Sequence, residues 1–141
     1  MLKSTVLRRV ATISRIVAYT SDIQFKKYDL QKGQYIYVVR VCEHPGLNLM
    51  ELTQMLNVDK STTTKAVQKL EKAGYVLKQH PEGNLKNIAL FPTEKAKRVY
   101  KNVIAEENRA IDCAFNGFTE EEKNQALGFL ERMCVNIEEY K

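Results

Sequence analysis

The chain has 141 residues, 44% hydrophobic and 28% charged, with a formal net charge of +5. This is enough apolar material for one domain, or for a compact core with helical extensions, and it argues against disorder. No apolar run approaches the roughly 18–20 residues of a membrane span. The charged, amphipathic N-terminus lacks the uninterrupted apolar stretch of a signal peptide, so a cytoplasmic protein is the expectation.

Three cysteines, Cys42, Cys113 and Cys134, are far apart and form no CxxC, and His44 and His80 are scattered. A structural metal site or a disulfide framework is not expected. The basic excess is concentrated at the front. Residues 1–40 carry eight basic and two acidic side chains, residues 41–92 six and five, and residues 93–141 eight and ten.

In chain order, residues 4–24 repeat apolar groups at Val6, Val10, Ile13 and Val17, the spacing of a helix with a wide apolar stripe. Asp29–Gly33 breaks it. A second helix is expected over about 34–43 and stops near His44-Pro45-Gly46. Asn48 caps a third, short helix that ends at Asn57. Glu51 is placed to return the cap hydrogen bond, and Leu47 and Leu52 are placed for a hydrophobic staple. Asp59 caps the next helix, which runs to about Ala73 and terminates at Gly74. Two helices joined by so short a turn have helix-turn-helix spacing.

Tyr75–Lys78 then reads as a strand, His80–Asn84 as a tight turn and Leu85–Phe91 as a second strand, a hairpin placed as a wing. Thr93 opens a long helix over about 93–115, with Val99, Val103, Ile111 and Ala114 on or near one side. Gly117-Phe118 breaks that helix. Thr119 and Glu122 form a capping-box pattern at the start of the last helix, whose stripe is Leu127, Leu130, Met133, Cys134 and Ile137.

Three consecutive threonines, 62 to 64, sit near the start of the fourth helix, although threonine is a mediocre helix former. With Thr63, Ala66, Val67 and Leu70 as the buried face, Lys60, Ser61, Thr62, Thr64, Lys65, Gln68 and Lys69 face outward. No acid lies between Lys60 and Leu70. Such a surface suits B-DNA: hydroxyls bond phosphates or base edges, a threonine methyl meets a thymine methyl, and lysines neutralise phosphates or reach guanine. The helix N-terminus adds N–H groups and positive dipole for a phosphate.

Residues 56–76, the wing and the run Pro92-Thr93-Glu94-Lys95-Ala96 together resemble the MarR family of bacterial winged-helix regulators. Leu70-Glu71-Lys72-x-Gly74 and Thr93-Glu94-Lys95 carry the most specific part of a resemblance that covers nearly the whole chain. It implies transcriptional regulation by an obligate dimer with interlaced terminal helices, often relieved by a small ligand. It also places Ser61, Thr62, Thr64 and Lys65 on the recognition helix. The family wing usually carries Asp-x-Arg; counting back from Thr93, those places hold Asn84, Leu85 and Lys86. Lysine keeps the charge and loses the planar fork, so wing contacts are expected to be weaker.

Dimerisation also follows from the chain itself, since the terminal helices carry more apolar residues than a winged core of about 60 residues can cover. The expectation is therefore a mainly α fold with a small β-wing (α+β). It comprises a winged helix-turn-helix core over 34–92, flanked by dimerisation helices at 1–28 and 93–141. Tyr19, Tyr28 and Tyr35, near Phe25 and Tyr37, are candidates for an effector pocket between the dimer helices and the core, with packing as the simpler explanation. The cysteines are expected to pack rather than to sense oxidation. No phosphate loop, nucleophile elbow or HExxH is present, so neither enzyme chemistry nor a cofactor is expected. The partners expected are double-stranded DNA, a second copy of the chain and a small-molecule effector. The alternative, a winged-helix adaptor that binds protein, calls for apolar anchors on the outer face of helix 60–72.

Overall fold

The first helix, α1 (Val6–Gln24), forms as its periodicity predicts, yet none of its residues is buried. The structure is a computed structural model that describes residues 1–30, 32–80 and 87–141. A 3-10 turn (Lys26–Tyr28) follows, which the sequence did not signal. Helices α2 (Gln34–Glu43), α3 (Leu49–Leu56) and α4 (Lys60–Lys72) come next, then strands β1 (Val76–Gln79) and β2 (Ala89–Pro92), and helices α5 (Glu94–Ala114) and α6 (Glu120–Tyr140). Residues 1–106 and 107–141 form two compact units.

Caps set the boundaries of the central helices. The Glu51 N–H donates to Asn48 Oδ1 at 2.8 Å, and the Thr62 N–H donates to Asp59 Oδ1 at 2.6 Å. At Asn48 the structure shows that half of the expected reciprocal pair; the Glu51 side chain is exposed. Both halves form at Thr119, where the Glu122 side chain and backbone close the capping box. Gly74, at φ +81°, ends α4. The Tyr75 N–H donates to the Leu70 carbonyl and the Gly74 N–H to the Glu71 carbonyl, the paired bonds of a Schellman motif.

The wing strands pair antiparallel, with Val76 opposite Pro92 and Gln79 opposite Ala89. The second strand begins later than the sequence indicated, at Ala89 rather than Leu85. Its other edge is covered by the loop between α2 and α3: the Gly46 N–H donates to the Leu90 carbonyl and the Leu90 N–H to the Leu47 carbonyl. Asn48 bridges Ala89. Gly46 makes this approach at φ +91°, which favours glycine. Residues 81–86, which include most of the expected tight turn and the first two residues of the expected second strand, lie outside the described residues.

In the first unit, the core gathers Leu30 and Val38 with Leu52 of α3, Val67 and Leu70 of α4, Val76 and Leu90 of the wing, and Ala96, Val99 and Val103 of α5. Phe25 and Tyr35 stack within it, ring centroids 4.8 Å apart. Buried Tyr75 donates its hydroxyl hydrogen bond to the Tyr28 carbonyl, while Asn102 Nδ2 donates to the Tyr28 hydroxyl at 2.8 Å. The turn after α1 is thus tied to both the wing base and α5. Thr93 accepts from the Ala96 N–H and donates to the Gly74 carbonyl, joining the start of α5 to the end of α4. In the second unit, α6 buries none of its residues, and its apolar side chains Leu127, Phe129, Leu130 and Ile137 are exposed.

Candidate nucleic-acid interface

The two faces of α4 separate along the predicted line. Thr63, Ala66, Val67 and Leu70 are buried. Lys60, Ser61, Thr62, Lys65, Gln68 and Lys69 are exposed, and Thr64 is half-buried. The structure therefore brings these seven candidate residues onto one helix surface. The Thr64 hydroxyl donates to the Lys60 carbonyl at 2.9 Å, so its proton is taken by the helix itself. Its methyl and its lone pairs stay available. Lys60, Lys65 and Lys69 form no ion pair with any described residue.

The N-terminus of α4 needs a correction. An acid already occupies it: the Asp59 carboxylate takes the Thr62 N–H. That backbone bond is the main cause holding its carboxyl below the ordinary aspartate range, followed by the Thr62 side chain, with Lys65 helping and slight burial opposing. A phosphate at this helix end would meet the like charge of Asp59. The depressed value also fixes a pH dependence. The stabilisation from Asp59 is present above the unfolded-state pKa, about 3.9, and is lost as pH falls through the lower folded value. Asp59→Asn keeps a neutral cap. Thermal unfolding midpoints measured from pH 6 to pH 2.5 (roughly, bracketing that value) are expected to fall less steeply for Asp59→Asn than for the native chain. Equal slopes would show that the cap charge contributes nothing.

Lys65, Lys69 and Lys72 follow one another at i, i+4 and i+7, so the basic row continues past the candidates named from sequence. Lys69 and Lys72 line an open cleft of about 470 Å³ with Asp29, Lys32 and Gln34. Lys72, missed from the sequence, follows Lys65 and Lys69 at helical spacing and was within its reach. Nothing in the sequence pointed to Lys32, which only the fold places beside this row. A second cleft, of about 240 Å³, lies where α3, the start of α4 and the approach to β2 meet, lined by Asn48, Met50, Thr53, Lys60, Asn87 and Ile88. At the wing base, Lys78 pairs with Glu71 at 3.5 Å. Asn84 and Lys86, the candidate wing contacts, lie outside the described residues; His80 is exposed.

The three tyrosines proposed for an effector pocket differ in burial. Tyr35 is stacked inside the core on Phe25. Tyr28 is half-buried and hydrogen-bonded through both its hydroxyl and its carbonyl. Tyr19 is 69% exposed on α1. None of them lines either cleft described above. Cys113 and Cys134, expected to pack, are exposed in the chain, and Cys42 is half-buried. Burial pushes the Cys42 thiol pKa up, with Lys97 partly opposing. Among the described residues, no helix is long and apolar enough to cross a membrane and no side-chain group could hold a metal ion.

Comparison with known proteins agrees with this geometry. The model of the MarR family matches residues 30–88. The HTH-type transcriptional regulator YybA of Bacillus subtilis (strain 168), itself described as uncharacterised, is 41% identical over 133 residues, covering 94% of this chain and 89% of that one. Among solved structures, a MarR protein from Peptoclostridium difficile matches with a TM-score of 0.94 and 48% identity, covering 99% of this chain and 92% of the other. A MarR family regulator from Listeria monocytogenes, solved with a 26mer DNA, matches with a TM-score of 0.91 and 38% identity, covering 97% and 90%.

Proposed function

This chain belongs to the MarR family of helix-turn-helix transcriptional regulators, which bind DNA and are not enzymes, and on that premise we propose that it is a cytoplasmic repressor that reads operator DNA as a homodimer. The reading surface is the outer face of α4, with Lys60, Ser61, Thr62, Thr64, Lys65, Gln68 and Lys69 as its contacts and Asn84 and Lys86 as contacts from the wing. The observation that carries this is the composition of that face: hydroxyls, one amide and lysines that pair with no described residue, with no acid between Lys60 and Leu70. A protein-binding adaptor needs apolar anchors there, and the exposed α4 positions offer none.

Unit composition supports the dimer. Leu7, Val10, Ile13, Ile16 and Val17 lie exposed along α1, as do the apolar side chains of α6. A second copy is the natural cover for both, with residues 1–28 and 93–141 as the dimerisation region and 34–92 as the DNA-binding core. Two-fold symmetry sets recognition helices about 34 Å apart, for half-sites about one helical turn apart. Repression then follows from occupancy of a pseudo-palindromic operator. A small effector bound near Tyr19, Tyr28 and Tyr35, in a pocket completed by the partner, would release it by favouring a spacing at which both helices cannot engage.

Selection of binding sites from a random duplex pool tests this reading. The expected winner is a pseudo-palindrome with a steep salt dependence; enrichment of no motif would overturn it. Lys65→Ala is expected to weaken binding to the winner. It should also flatten the plot of log affinity against log salt by about 2, since each lost phosphate contact removes about 0.9 and the dimer loses two. An unchanged slope would remove Lys65 from the phosphate contacts.

A further inference from the structure

Among the described residues of the first unit, Thr63 is the polar residue buried completely, at 0% exposure. It lies on the face of α4 turned away from solvent, between the exposed Thr62 and half-buried Thr64. Its hydroxyl oxygen is 2.8 Å from that of Thr53 on α3, and Thr53 Oγ1 donates to the Leu49 carbonyl at 2.7 Å. The Asp59 carbonyl is farther from Thr63 Oγ1, at 3.4 Å. On its other side lies Tyr37, a buried residue of α2 whose hydroxyl pKa is raised by burial and partly lowered by the Thr63 hydroxyl. Each hydroxyl has one proton to give. Thr53 Oγ1 has two acceptors within reach, Thr63 Oγ1 and the Leu49 carbonyl, and Thr63 Oγ1 gives its own proton to the Asp59 carbonyl. No buried side-chain polar atom among the described residues is left without a partner.

The other buried residues of α4, Ala66, Val67 and Leu70, make only apolar contacts, which are non-directional. They hold the helix against the core and tolerate small rotations about its axis. A hydrogen bond between hydroxyls does not, because its strength falls steeply with distance and angle. The leverage is large. Side-chain tips ride about 5–6 Å from a helix axis, so a rotation of about 15° carries them by about 1.4 Å, half a hydrogen-bond length.

We infer that Thr63 is a positioning residue for DNA recognition: its hydrogen bond with Thr53 fixes the rotation of α4 on α3, and so decides which base edges Ser61, Thr62, Thr64 and Lys65 meet. This rests on the reading of α4 as the DNA-contacting helix. Thr63 touches no DNA itself, so its role shows in specificity rather than in charge neutralisation. The middle threonine of the run thereby has a different task from its neighbours.

The test uses the full-length protein with its selected operator and a scrambled duplex of equal length, at a temperature where circular dichroism shows every variant folded. Thr63→Val keeps shape and removes the hydroxyl. It is expected to lower operator affinity about tenfold, the scale of a mismatched base pair, and scrambled-duplex affinity less than about twofold, with the salt slope unchanged. Thr63→Ser, which keeps the hydroxyl, is expected to restore discrimination to within about threefold of the native chain. Thr53→Val removes the partner hydroxyl on α3 while keeping its shape, and should shift discrimination in the same direction. It carries the test if Thr63→Val fails to fold.

Equal losses on both duplexes would reduce Thr63 to a structural role and overturn the inference. So would a Thr63→Ser variant that behaves like Thr63→Val, or a folded Thr63→Val or Thr53→Val that discriminates like the native chain. A native chain that binds neither duplex would instead sink the DNA reading of α4, and this inference with it.

Discussion

Ile13→Glu is expected to yield a folded monomer that no longer saturates the operator at concentrations where the native protein does. Ile13 lies midway along α1 and is 59% exposed, with Val10, Ile16 and Val17 exposed around it. In a lone chain a carboxylate there stays in water and costs little. In a two-fold dimer the same substitution enters the interface twice and removes two carboxylates from water without partners. Sedimentation would show the mass halved, while circular dichroism and the unfolding midpoint of the monomer report that the fold survives. Loss of the second recognition helix also removes the gain from linked half-sites, so operator affinity is expected to fall by at least about 100-fold. A variant that remains dimeric at micromolar concentration would remove α1 from the interface and leave α6 to account for the assembly.

The second large effect is expected at Leu52. It is the one residue of α3 that is fully buried, flanked by the half-buried Leu49 and Leu56. An eight-residue helix is too short to be stable alone, so its place depends on what it packs against. Leu52→Ala removes that anchor and is expected to cost about 3 kcal/mol, combining lost transfer energy with the cavity left behind. For a chain of this size that corresponds to an unfolding midpoint lower by roughly 10 °C. Urea titration followed by circular dichroism measures it directly. A loss below about 1 kcal/mol would mean that the surrounding core collapses to fill the space. Operator affinity should fall further than the folded fraction alone accounts for, because α3 holds Thr53 beneath Thr63.

The two effects separate what residues 1–106 do as a folded unit from what a dimer adds. Leu52 belongs to the core shared by α2, α4, the wing and α5. Ile13 belongs to a helix that buries nothing within its own chain. A variant of the first kind is expected to fail in stability assays before it fails in assembly, and the second kind in the reverse order. The further cations beside the recognition row, Lys32 and Lys72, belong to neither class: they face an open cleft, with Asp29 as the opposing charge.

The elements that depend on close neighbours were legible in the sequence. Asn48, Asp59 and Thr119 cap the helices that follow them, Gly74 ends α4 in the left-handed region, and the buried face of α4 is Thr63, Ala66, Val67 and Leu70. Capping, glycine termination and amphipathic spacing act over about seven residues or fewer, so local order suffices to specify them. Tertiary structure decided the rest. It set the start of β2, because the pairing of Gly46–Asn48 along its edge joins segments more than 40 residues apart. It separated Tyr35, sealed on Phe25, from Tyr19, left in solvent, though both sit on apolar helices. It brought Lys32 to the end of the recognition row and Thr53 beneath Thr63. Residue spacing says which side of a helix is apolar; only the meeting of helices says which polar group on that side finds a partner, and at what angle.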